Sequence, residues 1–473
     1  MQARRSVPLF VSFHIYLSAL VLYSLLFPAL CAQPLLSSTQ PYDSLASDIM
    51  ATTLRQNKAM EMLTELCTTI GPRLAGSRQA AKAVEWAAAT MKDLGFQNVH
   101  TEPVMVPHWI RGAKEEGFYV LGKSKTKHPL HITALGGSIG TPNKGITAGI
   151  VEATSWNELD SLGERVQGKI VLFNRPMDRS LVIPGQAYGR AVGQRSSGAV
   201  EAAKRGAVAA LVRSMTTRSD NVPHTGTMGY NDSIPKIPSA SVSTNDADLL
   251  SKLLAEGRNV VVTLTLSCET LPDVESANVM GEIVGIEQPD EIIVIGAHLD
   301  SWDKGQGAHD DGAGCIHALE ALRLLKELNL QPRRTIRAVL FMNEEHGLSG
   351  GNSYAERERF QEKLLAAIES DAGGFSPRGL SVSDSAAQIA LSKYASLFRS
   401  IGADHITRGS GGSDISPLIK KGVVGIGLQV DGQRYFDYHH SDNDMIDNVN
   451  ERELALGAAV EAIIAYVVAQ EGL

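Results

Sequence analysis

The sequence predicts an α/β protein: a doubly wound, mostly parallel mixed sheet flanked by helices, interrupted by an inserted β-rich block. Three observations predict it. From about residue 273 to the end, short apolar strand-type runs alternate with helical runs, as in a parallel sheet with helical crossovers. Between 112 and 271 the texture changes to short β-type pieces separated by Gly, Pro and Asn. The runs at 292–296 and 336–342 both end in clusters of His, Asp and Glu. In such sheets the carboxyl ends of the strands form the ligand-binding crevice.

The chain has 473 residues, 43% hydrophobic and 20% charged, with a net charge of −8. That is enough for a large core and more than one domain. With no long Lys/Arg block, the composition argues against a nucleic-acid partner. Arg4 and Arg5 precede an apolar run over 7–30 that ends near Pro28 and the small residues of ALCA. Residues 1–32 are therefore expected to be a cleaved signal peptide, with no stable membrane insertion afterwards. An uncleaved anchor is the rival, because the run reaches roughly the ~20 residues that span a bilayer. Residues 33–47 are polar, rich in turn formers and without sustained period, which predicts a pro-segment or a disordered leader.

A helix is predicted over 49–70, stopped at Gly71-Pro72; GPRLAGS (71–77) is a loop, 80–94 a second helix, and 96–106 a strand. Strands at 146–151, 168–173, 208–212 and 260–266 and helices at 198–205 and 246–256 fill the 112–271 block. The block shows no His/Asp/Glu cluster at ligand spacing and reads as an accessory module. Its Arg- and Gly-bearing loop, 175–195, is placed to shape access to the crevice. It also holds a glycosylation sequon at Asn231-Asp232-Ser233. Beyond 273, strands are predicted at 279–286, 292–296, 336–342, 364–368 and 423–428, with helices at 313–327, 386–400 and 450–469. The main domain is thus 48–111 with 272–473. Of four cysteines, Cys31 leaves with the signal, and Cys67, Cys268 and Cys315 allow at most one disulfide. Cys315, in an apolar helix, reads as a buried small hydrophobe.

His298 and Asp300 follow the 292–296 run and, two residues apart on an extended chain, point to one side. Asp300 can accept the ring N–H of a ligating His298 or orient a neighbouring ligand. Asp310 and Asp311 lie in GAHDDGAG, where glycines let the backbone turn toward a site. Asp311 suits a helix cap and Asp310 a metal, which its two oxygens can bridge to a second. Adjacent carboxylates after a buried strand, Glu344-Glu345, repel one another unless cations compensate. One of them can ligate, Glu345, while Glu344 takes a proton from water. Asp371 in IESDAGG is the next candidate ligand, with Glu369 as the fallback. His440, leading HSDND, is the last, with His439 expected to face away.

The ordered segments AHLDSW, GAHDDGAG, MNEEHGLSGG, SDAGG and HHSDND resemble the dizinc M28-type aminopeptidase and carboxypeptidase family. GPRLAGS resembles that family's opening, and the resemblance runs from about residue 50 to the C-terminus. It implies a zinc exopeptidase fold with 112–271 as a protease-associated domain. It further implies two Zn2+ per chain: His298 and Asp371 on one, Glu345 and His440 on the other, Asp310 bridging. Glu344 would be the general base for a metal-bridging hydroxide, with Asp300 behind the ligands. Every ligand position is present, which counts against a non-catalytic receptor-like relative. The resemblance also implies short peptide substrates, a homodimer, and a secreted or lysosomal location.

Substrate choice is less legible. Arg408 and Arg434 lie in loops near the last motif, but no Arg cluster suited to releasing C-terminal glutamate is evident. The expectation is hydrolysis of dipeptides and short peptides with a free N-terminus, with a carboxypeptidase as the alternative. Ser413 and Asp414, in GSGGSD, either line the substrate pocket or cap a helix. Tyr435 and Tyr438 flank the His440 loop and either wall the site or pack.

Overall fold

A strand that is apolar at nearly every position needs cover on both faces, and the runs after residue 273 are used in this way. The computed structural model of the protein describes residues 40–56, 58–359 and 361–473. The expected signal peptide and residues 33–39 of the expected leader lie outside the described residues. Strand Gln288–His298 turns Ile293 and Ile295 into one buried cluster and Ile292 and Val294 into another on the opposite face. Helices Gln40–Gln56, Arg78–Asp93, Ala313–Glu327 and Glu451–Glu471 cover the first face. Ser349–Glu356 and Ser416–Lys420 cover the second. Helix Glu451–Glu471 is long and apolar enough to cross a membrane, but its residues are mostly buried in this core.

The main sheet has eight strands in the order Gln97–Ile110, Glu269–Ile283, Arg334–Phe341, Gln288–His298, Lys363–Glu369, Val424–Val430, Pro377–Val382, His405–Arg408. Its centre is parallel: Gln288–His298 pairs with Arg334–Phe341 and Lys363–Glu369, which in turn pairs with Val424–Val430. Its register decides where the chemistry falls. His298 sits opposite Phe341, and Gly296 opposite Glu369. The residues that follow these strands, including Glu344, Glu345 and Asp371, therefore leave the sheet along one edge.

A second eight-stranded sheet occupies residues between 115 and 266. The chain leaves the main sheet at Ile110 and re-enters at Glu269, and these two residues are paired. Both ends of the inserted segment are thus held at one place. Arg111, buried at the junction, donates to Asp303 Oδ2 at 2.7 Å, to Glu115 Oε1 at 2.8 Å and to the Ala134 carbonyl at 2.6 Å.

Several expectations need correction. Residues 40–47, expected within a pro-segment or disordered leader, are helical: helix Gln40–Gln56 buries Tyr42, Ala46, Ile49 and Met50, a helical spacing that the polar residues between them disguise. Strands Pro377–Val382 and His405–Arg408 were not anticipated, being short and polar with Gly379 in one of them. The predicted 386–400 helix is broken into Ser385–Ser392 and a 3-10 turn at Ala395–Ile401. Cys67, Cys268 and Cys315 are all buried and free.

The GPRLAGS loop has a structural use. Arg73 is fully buried and donates to the carbonyls of Leu299 (2.6 Å), Gln306 (2.9 Å) and Gly307 (3.0 Å). It ties the N-terminal loop to the segment leading to Asp310. Arg73→Met is expected to strand these carbonyls and lower stability by on the order of 3 kcal/mol. Denaturant unfolding measures this, and a change within a few tenths would mean that the loop holds itself.

Candidate metal centre and its cavity

The sheet edge delivers five buried or half-buried side chains to one point. His298 Nε2 lies 3.3 Å from Asp310 Oδ1 and 3.6 Å from Asp371 Oδ1. On the other side, His440 Nε2 lies 3.2 Å from Asp310 Oδ2 and 3.1 Å from Glu345 Oε2. Asp310 thus presents one oxygen to each of two donor groups. His298, Asp310 and Asp371 form one cluster with metal-ligand spacing; Asp310, His439 and His440 form another.

Three further carboxylates hold the loops that carry these groups, each by accepting backbone N–H donors. Asp300 Oδ1 accepts from Asn343 (2.6 Å) and Glu344 (3.1 Å), fixing the turn that presents Glu344 and Glu345. Its role is therefore on that turn, while the His298 Nδ1 partner is the Asp300 backbone carbonyl at 3.0 Å. Asp444 accepts from His309 (2.7 Å) and Asp310 (3.1 Å). Glu369, the fallback ligand, instead accepts from Ser413, Asp414 and Ile415 at 2.7, 3.2 and 2.9 Å. Gly412 is needed there, because a Cβ would run into the Glu369 carboxylate.

His440 has φ of 59°, a left-handed conformation that a histidine rarely adopts unaided. Neighbours in the inserted segment hold it. The Thr225 N–H donates to the His440 carbonyl at 2.8 Å, and His224 Nδ1 lies 2.7 Å from the His439 carbonyl. A carbonyl only accepts, so His224 carries its proton on Nδ1.

The charge balance tests whether cations fit. Burial works to raise the pKa of Asp310, but the imidazoles of His298 and His440 outweigh it and hold its carboxyl well below the usual range. Burial, reinforced by neighbouring carboxylates, pushes Glu344 well up and Glu345 to about 7. Burial works to lower His440, yet Glu345 and Asp310 raise it to about 10. Asp310, Asp371, Glu344 and Glu345 outnumber His298 and His440, so ionising all four carboxyls leaves a surplus negative charge that bound cations would offset. Asp310 Oδ2, Glu345 Oε1 and His440 Nδ1 also lack hydrogen-bond partners despite burial. Nitrogen and oxygen donors with surplus negative charge are the donor set of a divalent metal such as zinc.

These groups open onto a cavity of about 370 Å3 lined by Glu344, Glu345, Asp371, Ser413, Tyr435, His439 and His440 from the main sheet. Tyr188, Arg195 and Thr227 of the inserted segment, with Gly347 and Phe436, complete its wall. Two expected lining residues are elsewhere. Asp414 is fully buried behind Ser413, and it caps no helix either. Tyr438 stacks on His309 at 5.1 Å between ring centroids, as a packing residue. His439 does not face away: its ring stacks on His440 at 3.4 Å, with Nε2 3.8 Å from Asp310 Oδ2. Arg408 donates to the Val382 carbonyl, and Arg434 lies over the Phe375 ring; neither lines the cavity. Tyr188, Arg195 and Thr227 were missed individually, although Tyr188 and Arg195 fall in the 175–195 stretch that was expected to shape access. Asn231 is exposed, its Oδ1 accepting from the Ser233 N–H at 2.9 Å.

Comparison with known proteins adds the following. The family description "Peptidase family M28" matches residues 278–467. Carboxypeptidase Q of Bos taurus is 39% identical over 433 residues, covering 90% of this chain and 89% of that one. A solved M28 peptidase precursor from Shewanella amazonensis has a TM-score of 0.87 and 37% identity, covering 92% of this chain and 98% of that one. A zinc aminopeptidase from Bacillus subtilis, 22% identical with a TM-score of 0.64, covers 88% and 95% and shares the fold.

Burial pushes His224 down to about 4, against an ordinary value near 6.5. Unfolded chains take up this proton as pH falls below 6.5, while the fold resists until about 4, so acidification destabilises. Between pH 7 and 4.5 this one residue is expected to cost about 2–3 kcal/mol. His224→Gln removes the titration. The stability gap between wild type and variant should therefore narrow on acidification in urea unfolding, and a gap independent of pH would refute the assignment.

Proposed function

As the chain belongs to peptidase family M28 and is a metallopeptidase, we propose that it is a dizinc exopeptidase hydrolysing dipeptides and short peptides with a free N-terminus. The observation that carries the reading is Asp310, whose two carboxylate oxygens face separate donor groups beside Glu344. His298 and Asp371 would hold one zinc, Glu345 and His440 the other, with Asp310 shared. Zinc bound there supplies Lewis acidity, polarising a carbonyl and acidifying water.

The chain's own residues do the rest. Glu344 accepts a proton from the attacking water and returns it to the leaving amine nitrogen. Asp300, through the Asn343 and Glu344 N–H groups, keeps the carboxylate on its turn. Of the carboxylates that line this side of the cavity, Glu344 is not assigned to zinc and is the one left to face a protonated α-amino group. The cavity volume, at the small end of ligand pockets, favours short substrates.

We place the protein in the secretory pathway, secreted or lysosomal. The arginines before an apolar N-terminal run and the exposed sequon at Asn231 support this. We read the inserted segment as a protease-associated domain and the assembly as a homodimer, both by family resemblance. A carboxypeptidase acting on C-terminal residues is the second reading, supported by the name carried by the Bos taurus relative.

Glu344→Gln is expected to retain two zinc ions per chain by metal analysis while kcat falls on the order of 10²–10⁴-fold. Near-normal turnover in that variant would remove Glu344 as the base. Dipeptides blocked and unblocked at each end, with and without chelator, test the rest. Chelation and N-terminal acylation should each abolish cleavage, and indifference to acylation would defeat the free-N-terminus reading.

A further inference from the structure

Arg195 is only 7% exposed, yet its Nε and Nη1 have no hydrogen-bond partner, and no carboxylate pairs with it among the described residues. A buried guanidinium keeps its charge, so unused donors in a low-dielectric wall are costly unless a ligand takes them up. Nη2 donates to the Tyr188 hydroxyl at 2.7 Å, and Nη1 and Nε stay without a partner in a side chain that lines the cavity with Glu344 and His440.

Its distance from the reacting groups is small. A Cβ on Gly226 would collide with Arg195 Nη1 while lying 2.8 Å from His440 Nδ1. With no Cβ at Gly226, whose φ is 132°, the guanidinium packs against the backbone there, close to the His440 ring. The residue comes from helix Gly193–Ala203 of the inserted segment, facing a cavity whose other side is acidic.

We propose that Arg195 is a specificity-determining residue that binds the C-terminal carboxylate of a short peptide. This rests on the exopeptidase reading and deepens it. Nη1 and the second N–H of Nη2 form one edge of the planar guanidinium, which matches a carboxylate, whereas a peptide carbonyl or a C-terminal amide offers it no charge. The α-ammonium of the substrate faces Glu344, the lining carboxylate not assigned to zinc, and its carboxylate faces Arg195. The cavity therefore selects zwitterionic peptides short enough to span both, dipeptides first.

The test uses the zinc-loaded full-length protein with dialanine and its C-terminal amide. Wild type should favour the free acid. Arg195→Met should raise KM for the acid on the order of ten- to hundredfold, with kcat little changed and the amide unaffected. Arg195→Lys should recover part of the loss. A readout independent of turnover is calorimetric binding in the Glu344→Gln background, where Arg195→Met should weaken the acid and leave the amide alone. Zinc content and thermal midpoint check that the variant folds. If it does not, the acid-against-amide ratio in wild type and in Arg195→Lys decides.

Equal affinity of wild type for acid and amide, or equal loss for both in the variant, would overturn the role of Arg195 and leave the exopeptidase intact. Failure of wild type to bind or cleave either compound would overturn both readings together.

Discussion

The centre of this protein depends on compensating one buried negative charge, the carboxylate of Asp310. At 5% exposure it cannot be solvated by bulk water, and an unpaired charge in that position costs several kcal/mol. His298 and His440 approach it from opposite sides, but each also faces another carboxylate, Asp371 or Glu345. The imidazoles therefore cannot neutralise the cluster alone, and the geometry that divides the two Asp310 oxygens between them is the geometry that two cations would share. The loops, the strand register and the inserted segment all serve to bring these groups to one point.

One device recurs in achieving this. Asp300, Glu369 and Asp444 do not meet the cavity; each gathers backbone N–H groups from a loop that does. A carboxylate accepting two or three such donors gains charge-assisted hydrogen bonds and fixes the loop without covering it. The parallel register explains why this works. It sets Gly296 opposite both Val339 and Glu369, so the loops issuing from neighbouring strands lie within reach of one another's side chains. Arg73 does the complementary work, spending its donors on carbonyls of the 299–307 segment.

How much of this was legible follows the range of the interactions. Apolar runs that end in His, Asp or Glu mark parallel strands and their carboxyl ends, so His298, Asp310, Glu344, Glu345, Asp371 and His440 could be read as a set, and the fold brings them together. Helix Gln40–Gln56 was hidden because its contacts lie far along the chain; Tyr42, for instance, hydrogen-bonds Glu471. Asp414 and Tyr438 sit beside motif residues in sequence, but the backbone turns them inward, Asp414 because Glu369 holds its N–H. His439 was misjudged on the same ground. Adjacent residues on a strand diverge, but the left-handed conformation at His440 brings the two rings into a stack.

That conformation also decides what the inserted segment is for. Hydrogen bonds within residues 435–444, such as Ser441 Oγ to the Tyr438 carbonyl and Asn443 Nδ2 to the Asp437 carbonyl, do not reach the carbonyls of His439 and His440. The carbonyls of His439 and His440 are instead taken by His224 and Thr225. The same segment contributes Tyr188, Arg195 and Thr227 to the wall. A ligand loop and a pocket wall thus depend on a sheet inserted more than a hundred residues upstream, and Arg111 locks that sheet at the crossing point by pairing with Asp303. The cavity is a shared product of both segments, so mutation at Tyr188 or Arg195 can reshape its wall while the candidate metal ligands keep their places on the main-sheet edge.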